Sequence, residues 1–169
     1  MKDTLLHPKA AFRLLPCNRT GDYRVRIFEN GSQSEFYFSR QRQPPYLSVA
    51  DYFLPDSAGT HDLIGLQIVT LGSAIQREIH RLFSNDNYRD YLHLHGLAVE
   101  LTEAAAEYVQ TLMQSKLQPP VSAKRYSFGY PCCPDLTSNR TIAALLSAEK
   151  LGVSFTEDDQ MVPELSTAA

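Results

Sequence analysis

Tyr23-Arg24-Val25-Arg26-Ile27-Phe28 alternates apolar and basic side chains, the period of a half-buried strand. Asn30-Gly31 supplies a turn, and Glu35-Phe36-Tyr37-Phe38 reads as the returning strand. Residues 51–59 read as a loop, because Pro55, Asp56, Ser57 and Gly59 are turn formers. An apolar run from Leu63 to Leu71, with Ile64, Leu66, Ile68 and Val69, predicts a buried strand. Ser73 is placed to cap a short helix carrying Ile75, Ile79, Leu82 and Phe83 on one face.

The longest predicted element runs from about Asn87 to Ser115. Tyr91, Leu94, Ala98, Leu101, Ala105, Tyr108 and Leu112 recur at steps of three and four, which predicts a helix with one buried stripe. Pro119-Pro120 forbids its continuation. Thr137 or Ser138 is placed to cap another helix, with Ile142, Leu145 and Leu146 inward and a close near Gly152. Val153 and Phe155 suggest a last short strand. Strands come first, helices are interspersed, and no βαβ regularity appears. The expected class is α+β with an antiparallel sheet.

Length suits one domain: 169 residues can bury a sizeable core. A net charge of −3 without a basic stripe gives no electrostatic case for nucleic acid or an anionic membrane. Three cysteines, two of them adjacent, argue against a disulfide framework and for a reducing, cytoplasmic setting. Met1 to Pro8 lacks the apolar core of a signal peptide, and no stretch has the length of a membrane-spanning helix.

The chemistry concentrates in Arg125-Tyr126-Ser127-Phe128-Gly129-Tyr130-Pro131, followed by Cys132-Cys133-Pro134-Asp135. Gly129 permits a turn or a close backbone approach, and the prolines fix φ beyond it. Arg125 offers a planar fork for a carboxylate or phosphate, and the rings offer flat faces for a heterocycle or cation. Two readings of the residues stand side by side: a small-molecule cradle, or a buried turn whose rings are core and whose arginine is a surface charge. Glu100, Glu103 and Glu107, spaced by three and four, read on their own as a solvated helix face. Cys132-Cys133 with His93 and His95 is a poor metal set, since adjacent cysteines chelate badly and histidines two apart on a helix diverge. Neither thiol has a basic neighbour in sequence to activate it. Phosphate-loop, Rossmann and Ser-His-Asp patterns are absent.

The Arg125–Pro131 stretch resembles the Arg-x-x-x-Gly-Tyr-Pro motif of the activation domain of cobalamin-dependent methionine synthase. Four further blocks follow that family's order. Pro16-Cys17-Asn18-Arg19-Thr20-Gly21-Asp22 is similar to its Pro-x-Asn-x-x-Gly-Asp entry into a strand. Arg40-Gln41 and Leu47-Ser48-Val49-Ala50-Asp51-Tyr52 resemble its Arg-Gln and Leu-Ala-Asp-Phe segments. Leu101 to Tyr108 is similar to its Leu-Ala-Glu-Ala-Phe-Ala-Glu-Tyr helix, and Gly152 to Glu157 to its Gly-hydrophobic-x-Leu-Thr-Glu ending.

The resemblance implies an antiparallel sheet wrapped by helices that binds S-adenosylmethionine. It implies that Arg125 holds the ligand carboxylate, that backbone around Ser127 and Gly129 lines the ligand, and that Tyr130 lies near it on the cobalamin side. Glu103 matches a ligand-proximal glutamate, whose charge would offset the sulfonium. No side chain is implied as nucleophile, general base or metal ligand. The implied role is reactivation: S-adenosylmethionine is presented to oxidised cobalamin carried by a partner domain or chain, with an electron from a flavodoxin-type donor. A cobalamin site in this chain itself is not implied, because the nearest string to Asp-x-His-x-x-Gly, His93-Leu94-His95-Gly96, has the wrong spacing.

Departures from the pattern shape the expectation. The whole chain, 1–169, is expected as one module, with 1–13 a poorly matched tail. A preceding helical segment with a ligand-contacting aspartate, an acidic insertion before Arg125, and a following strand with a ligand-contacting tyrosine have no counterpart here. The expected object is therefore the middle of an activation domain, as a fragment, split subunit or stand-alone homologue. The alternative is a homologue acting as a non-catalytic docking or assembly domain.

Overall fold

The computed structural model describes residues 5–29, 31–119 and 122–169. Five strands build one antiparallel sheet: β1 (Lys9–Thr20), β2 (Arg24–Glu29), β3 (Ser32–Tyr37), β4 (Asp62–Thr70) and β7 (Ser166–Ala168). Their order is β3-β2-β1-β4-β7. A separate two-stranded ribbon pairs β5 (Ser154–Phe155) with β6 (Met161–Val162). Three α-helices accompany them: α1 (Ser73–Ser84), α2 (Tyr88–Gln114) and α3 (Ser138–Leu146). The sheet carries α3 on one face and α2 on the other, so the expected antiparallel sheet wrapped by helices is what the chain forms. No helix among the described residues is long and apolar enough to cross a membrane.

β1 organises the sheet. Its first nine residues pair with β4, from Lys9 opposite Thr70 to Cys17 opposite Asp62, and its last four pair with β2. Pro16 is tolerated because pairing with β2 begins only at Cys17. The strand starts at Lys9, so part of the expected N-terminal tail enters the sheet. β2 and β3 form the expected hairpin, with Glu29 opposite Ser32 and Gly31 at a φ of 82°. Asn30 of that turn lies outside the described residues.

β4 shows why its sequence is a continuous apolar run. Ile64, Leu66 and Ile68 face a core shared with Phe36, Phe38 and, from α3, Ile142 and Leu146. The opposite face carries Val69, which packs with Ala106, Val109 and Met113 of α2. A strand buried on both faces has no polar alternation to display.

α2 corrects one expectation. Ala98 is buried, but the stripe continues as Thr102, Ala106, Val109 and Met113, while Tyr108 is 65% exposed. The expected stripe advanced by 3.5 residues per turn, whereas an α-helix turns every 3.6. Over two heptads the buried line shifts by about 40°, close to half the step between neighbouring residues.

Helix ends supply further corrections. Gly72, not Ser73, is the N-cap of α1, and Ser73 instead accepts a hydrogen bond from Arg77 Nη1 at 2.8 Å. Phe83 is 58% exposed rather than on the buried face, and its ring tilts against Tyr91. Neither Thr137 nor Ser138 caps α3 by its side chain: Thr137 Oγ1 donates to Asp135 Oδ1 at 2.7 Å. Pro120 of the helix-stopping pair lies outside the described residues, and α2 has already ended at Gln114.

Residues 49–58 hold two short 3₁₀ turns, Val49–Tyr52 and Asp56–Ala58, where a plain loop is expected. Side chains pin this stretch. Asn18, 2% exposed, donates to the Thr60 carbonyl at 2.9 Å, and its Oδ1 lies 2.6 Å from His61 Nδ1. Arg40 grips Asp51 with both arms, at 2.6 and 2.9 Å, and Asp51 also accepts from the Ser48 N–H at 2.9 Å. That fork holds the Asp51 carboxyl below its usual range.

Candidate functional site

The segment leaving α2 is tied back onto that helix before the arginine is reached. Gln110 and Gln114, one turn apart on α2, both donate to the Ala123 carbonyl, at 2.7 and 2.9 Å. Two residues later the Arg125 side chain turns towards α2. Nη2 donates to Glu103 Oε2 at 2.6 Å, and Nη1 donates to Ser127 Oγ at 3.0 Å. Ser127 in turn accepts a longer bond, 3.4 Å, from Thr167 Oγ1 on β7. The guanidinium is thus held between a helix, its own loop and a strand.

The two partners differ in exposure: the Arg125 side chain is 17% exposed and that of Glu103 is 39%. The cation is sunk and oriented, and the carboxylate is the more open of the two. Glu100 and Glu107 are exposed, so the reading of a solvated face holds for them, while Glu103 turns to the arginine. Arg125 Nε is buried without a hydrogen-bond partner. An unpaired charged donor in such a place is costly unless a ligand or water completes it.

The three rings of the segment take three different roles. Phe128 packs into the core, stacked on Phe36 and Phe38 with centroids 5.9 and 6.3 Å away. Tyr126 stacks on Tyr52 at 6.3 Å, and burial raises its hydroxyl pKa. Tyr130 is 54% exposed. The buried-turn reading is right for Phe128 and wrong for Arg125 and Tyr130.

Gly129 lies at a φ of 89°, its N–H donating to the Cys133 carbonyl at 2.8 Å. The Cys133 N–H returns to the Tyr130 carbonyl at 2.8 Å, closing a tight turn around Pro131. Only a residue without Cβ sits easily there, since a Cβ would meet Leu136 Cδ2 at 3.1 Å. Cys133 is 3% exposed, and burial pushes its thiol up to about 12. His95 stacks on Tyr91 within α2, far along the chain from the cysteines. Among the described residues no group of three or more His, Cys, Asp or Glu is placed to hold a metal.

Beside Arg125 opens a cavity of about 650 Å³, bounded by β4, the C-terminal part of α2 and residues 122–128. Arg125, Tyr126 and Phe128 line it, with Gln67 and Gln110. Glu103, Ser127, Gly129 and Tyr130 do not. The structure therefore brings Arg125, Ser127 and Glu103 into contact and leaves Gly129 and Tyr130 in the adjoining turn. Sequence reasoning passed over Gln67, Gln110 and Thr167. Gln67 alone left a signal, as an amide inside an otherwise apolar run.

A curled antiparallel sheet flanked by helices, with an arginine fork held against a glutamate of α2, defines an α+β domain. The whole chain, residues 1–169, matches the family described as vitamin B12 dependent methionine synthase, activation domain, and it belongs to that family. It is 35% identical over 158 residues to methionine synthase of Mycobacterium tuberculosis, and 34% over 158 residues to that of Mycobacterium leprae. Each alignment covers 79% of this chain and 13% of the relative, so the chain spans a small part of those proteins. The fold is that of a crystal structure of the MetH reactivation domain bound to AdoHcy, with a TM-score of 0.82 and 24% identity, covering 97% of this chain and 57% of that one.

Proposed function

We propose that this domain, acting as one module in the cytoplasm, binds S-adenosylmethionine and presents its methyl group for reactivation of cobalamin in methionine biosynthesis. The observation that carries the reading is the Arg125 fork, oriented by Glu103 and Ser127 with Nε unpaired. A ligand carrying a carboxylate near a fixed positive sulfonium suits an arginine and a glutamate side by side. Membership of the activation-domain family and the likeness to a reactivation domain holding AdoHcy support the same ligand.

Arg125 takes the carboxylate. Glu103 then faces the ligand's positive groups, and Gly129 and Tyr130 form the rim. The chain's contribution is positioning, which converts a collision into a held geometry. Cobalamin, carried by another domain or chain, supplies the methyl-accepting metal once a flavodoxin-type donor has delivered an electron.

Isothermal titration of S-adenosylmethionine into the purified chain, beside Arg125→Ala, tests the reading. Saturable binding that the variant loses supports it. A folded chain that takes up no ligand sinks it and leaves the docking-domain alternative.

A further inference from the structure

Among the described residues, β1 carries a row of backbone groups that no other element pairs. Gln67 on β4 exchanges both backbone hydrogen bonds with Ala169, at 2.8 and 3.0 Å. Phe12, which faces Gln67 from β1, is therefore a position that does not bond to β4. Such positions alternate along an antiparallel ladder, which turns the N–H and C=O groups of Ala10, Phe12 and Leu14 away from β4. β2 lies on that side but joins β1 only at Cys17. Ala10 is exposed, and Phe12 and Leu14 are half-buried.

An open edge of this kind is a template for another strand. β3, at the rim of the sheet, blunts that hazard with Ser32, Gln33, Ser34 and Glu35. The free segment of β1 instead reads Ala10-Ala11-Phe12-Arg13-Leu14-Leu15, and its one cation, Arg13, is held by Glu29. An apolar flank of α2 lies above it. Ala105 packs with Phe12 and Leu14, and Leu101, Tyr108 and Leu112 share its side of the helix at helical spacing. Tyr108 is 65% exposed. The opposite flank, with Gln110 and Gln114, is the one tied to Ala123.

The edge is complementary to itself. Pro8 and Pro16 stand at equal distance on either side of Phe12. Antiparallel pairing with a second copy about a two-fold axis at Phe12 sets Ala10 opposite Leu14 of that copy, each pair exchanging both hydrogen bonds. It also sets Pro8 opposite Pro16 of the second copy, at the two ends, where neither has an N–H to leave unmet. Lys9 then faces Leu15 and Arg13 faces Ala11, so no like charges stand directly opposite. We propose that this chain forms a two-fold dimer in which β1 adds to β1 and the apolar flanks of α2 close over the joined sheet. Arg125 and Glu103 meet on the other flank of α2, so dimer formation and ligand binding are independent.

Sedimentation velocity on the purified whole chain, over a wide range of concentration, is expected to show a dimer that dissociates on dilution. Amide hydrogen exchange reads the register. Ala10, Phe12 and Leu14 should be protected in the dimer and lose protection on dilution, while Ala11 and Arg13, bonded to β4, stay protected throughout. Ala10→Pro removes a donor that β4 does not use, as Pro16 already does in this strand, and is expected to weaken the dimer by about tenfold or more. Tyr108→Glu, on the exposed flank of α2, is expected to weaken it by about as much. Tyr37→Glu on β3, where the ring is 51% exposed, should leave it unchanged. Circular dichroism checks that each variant folds, and Tyr108→Glu decides the matter should proline disturb β1. A folded wild-type chain that stays monomeric at the highest concentration overturns the proposal. A dimer that survives both Ala10→Pro and Tyr108→Glu, or that Tyr37→Glu breaks, overturns it as well. Open-ended polymers in place of a closed dimer do the same. Protection of Ala10, Phe12 and Leu14 that is independent of concentration also overturns it, by assigning the edge to another part of the same chain.

Discussion

Arg125 crosses 22 residues of chain to place Nη2 2.6 Å from Oε2 of Glu103 on α2. The contact fixes the plane of the fork from outside its own loop, and Ser127 fixes it from within. Arg125→Lys keeps the charge but cannot reproduce two anchored arms. It is expected to lose about 10- to 100-fold in S-adenosylmethionine affinity, with circular dichroism unchanged. Wild-type affinity in the lysine variant would remove the fork from the site.

Glu103→Gln keeps the shape and a hydrogen-bond acceptor for Arg125 while removing the negative charge. Its effect is expected on the ligand more than on folding, because exposed pairs contribute about 0–1 kcal/mol to stability. Titration at two salt concentrations checks this: wild-type binding should weaken with salt more steeply than binding to the variant. Equal affinity and equal salt slope would return Glu103 to the solvated face shared by Glu100 and Glu107.

Gly129→Ala forces a Cβ into a left-handed backbone at a φ of 89° and to within 3.1 Å of Leu136. The expected loss is about 1–2 kcal/mol, read as a lower urea midpoint at unchanged slope. An unmoved midpoint would mean that the turn adapts without cost.

Asp51 predicts an acid-side dependence. The Arg40 hydrogen bonds depress its folded pKa, so it contributes stability above the unfolded aspartate value of about 3.9. That contribution is lost as pH falls through the lower folded value. Tm measured from pH 6 downward should fall less steeply in Asp51→Asn than in the wild type. Parallel curves would remove Asp51 from the acid response.

The cysteines differ in access. Burial pushes both Cys17 and Cys133 thiols up to about 12, and both are nearly unexposed. Iodoacetamide at pH 8 should therefore label Cys132 first and reach the other two only on unfolding. S-Adenosylmethionine binding that survives Cys132 labelling would also remove a thiol enzyme from consideration.

Elements with a local period were legible in the chain: the β2–β3 hairpin, the two-sided apolar run of β4, and α2 with its end before the prolines. The Arg125–Pro131 stretch was legible as chemistry, and its likeness to the activation-domain family agreed with the α+β class that the order of strands and helices had already given. β1 was passed over as a strand because it is buried unevenly along its length. β7 was passed over because three residues hold no period, and its existence depends on β4 lying beside it. The buried line on α2 was misplaced because a spacing rule cannot supply the cumulative rotation of a straight helix. What tertiary structure alone decided is which atoms meet. Periodicity says which face of an element is buried, since that follows from the geometry of a single strand or helix. The Glu103–Arg125 pair, Ser127 against Thr167, and the unmet carboxamide of Gln67 depend on how elements distant in sequence are packed, and no local pattern encodes those distances.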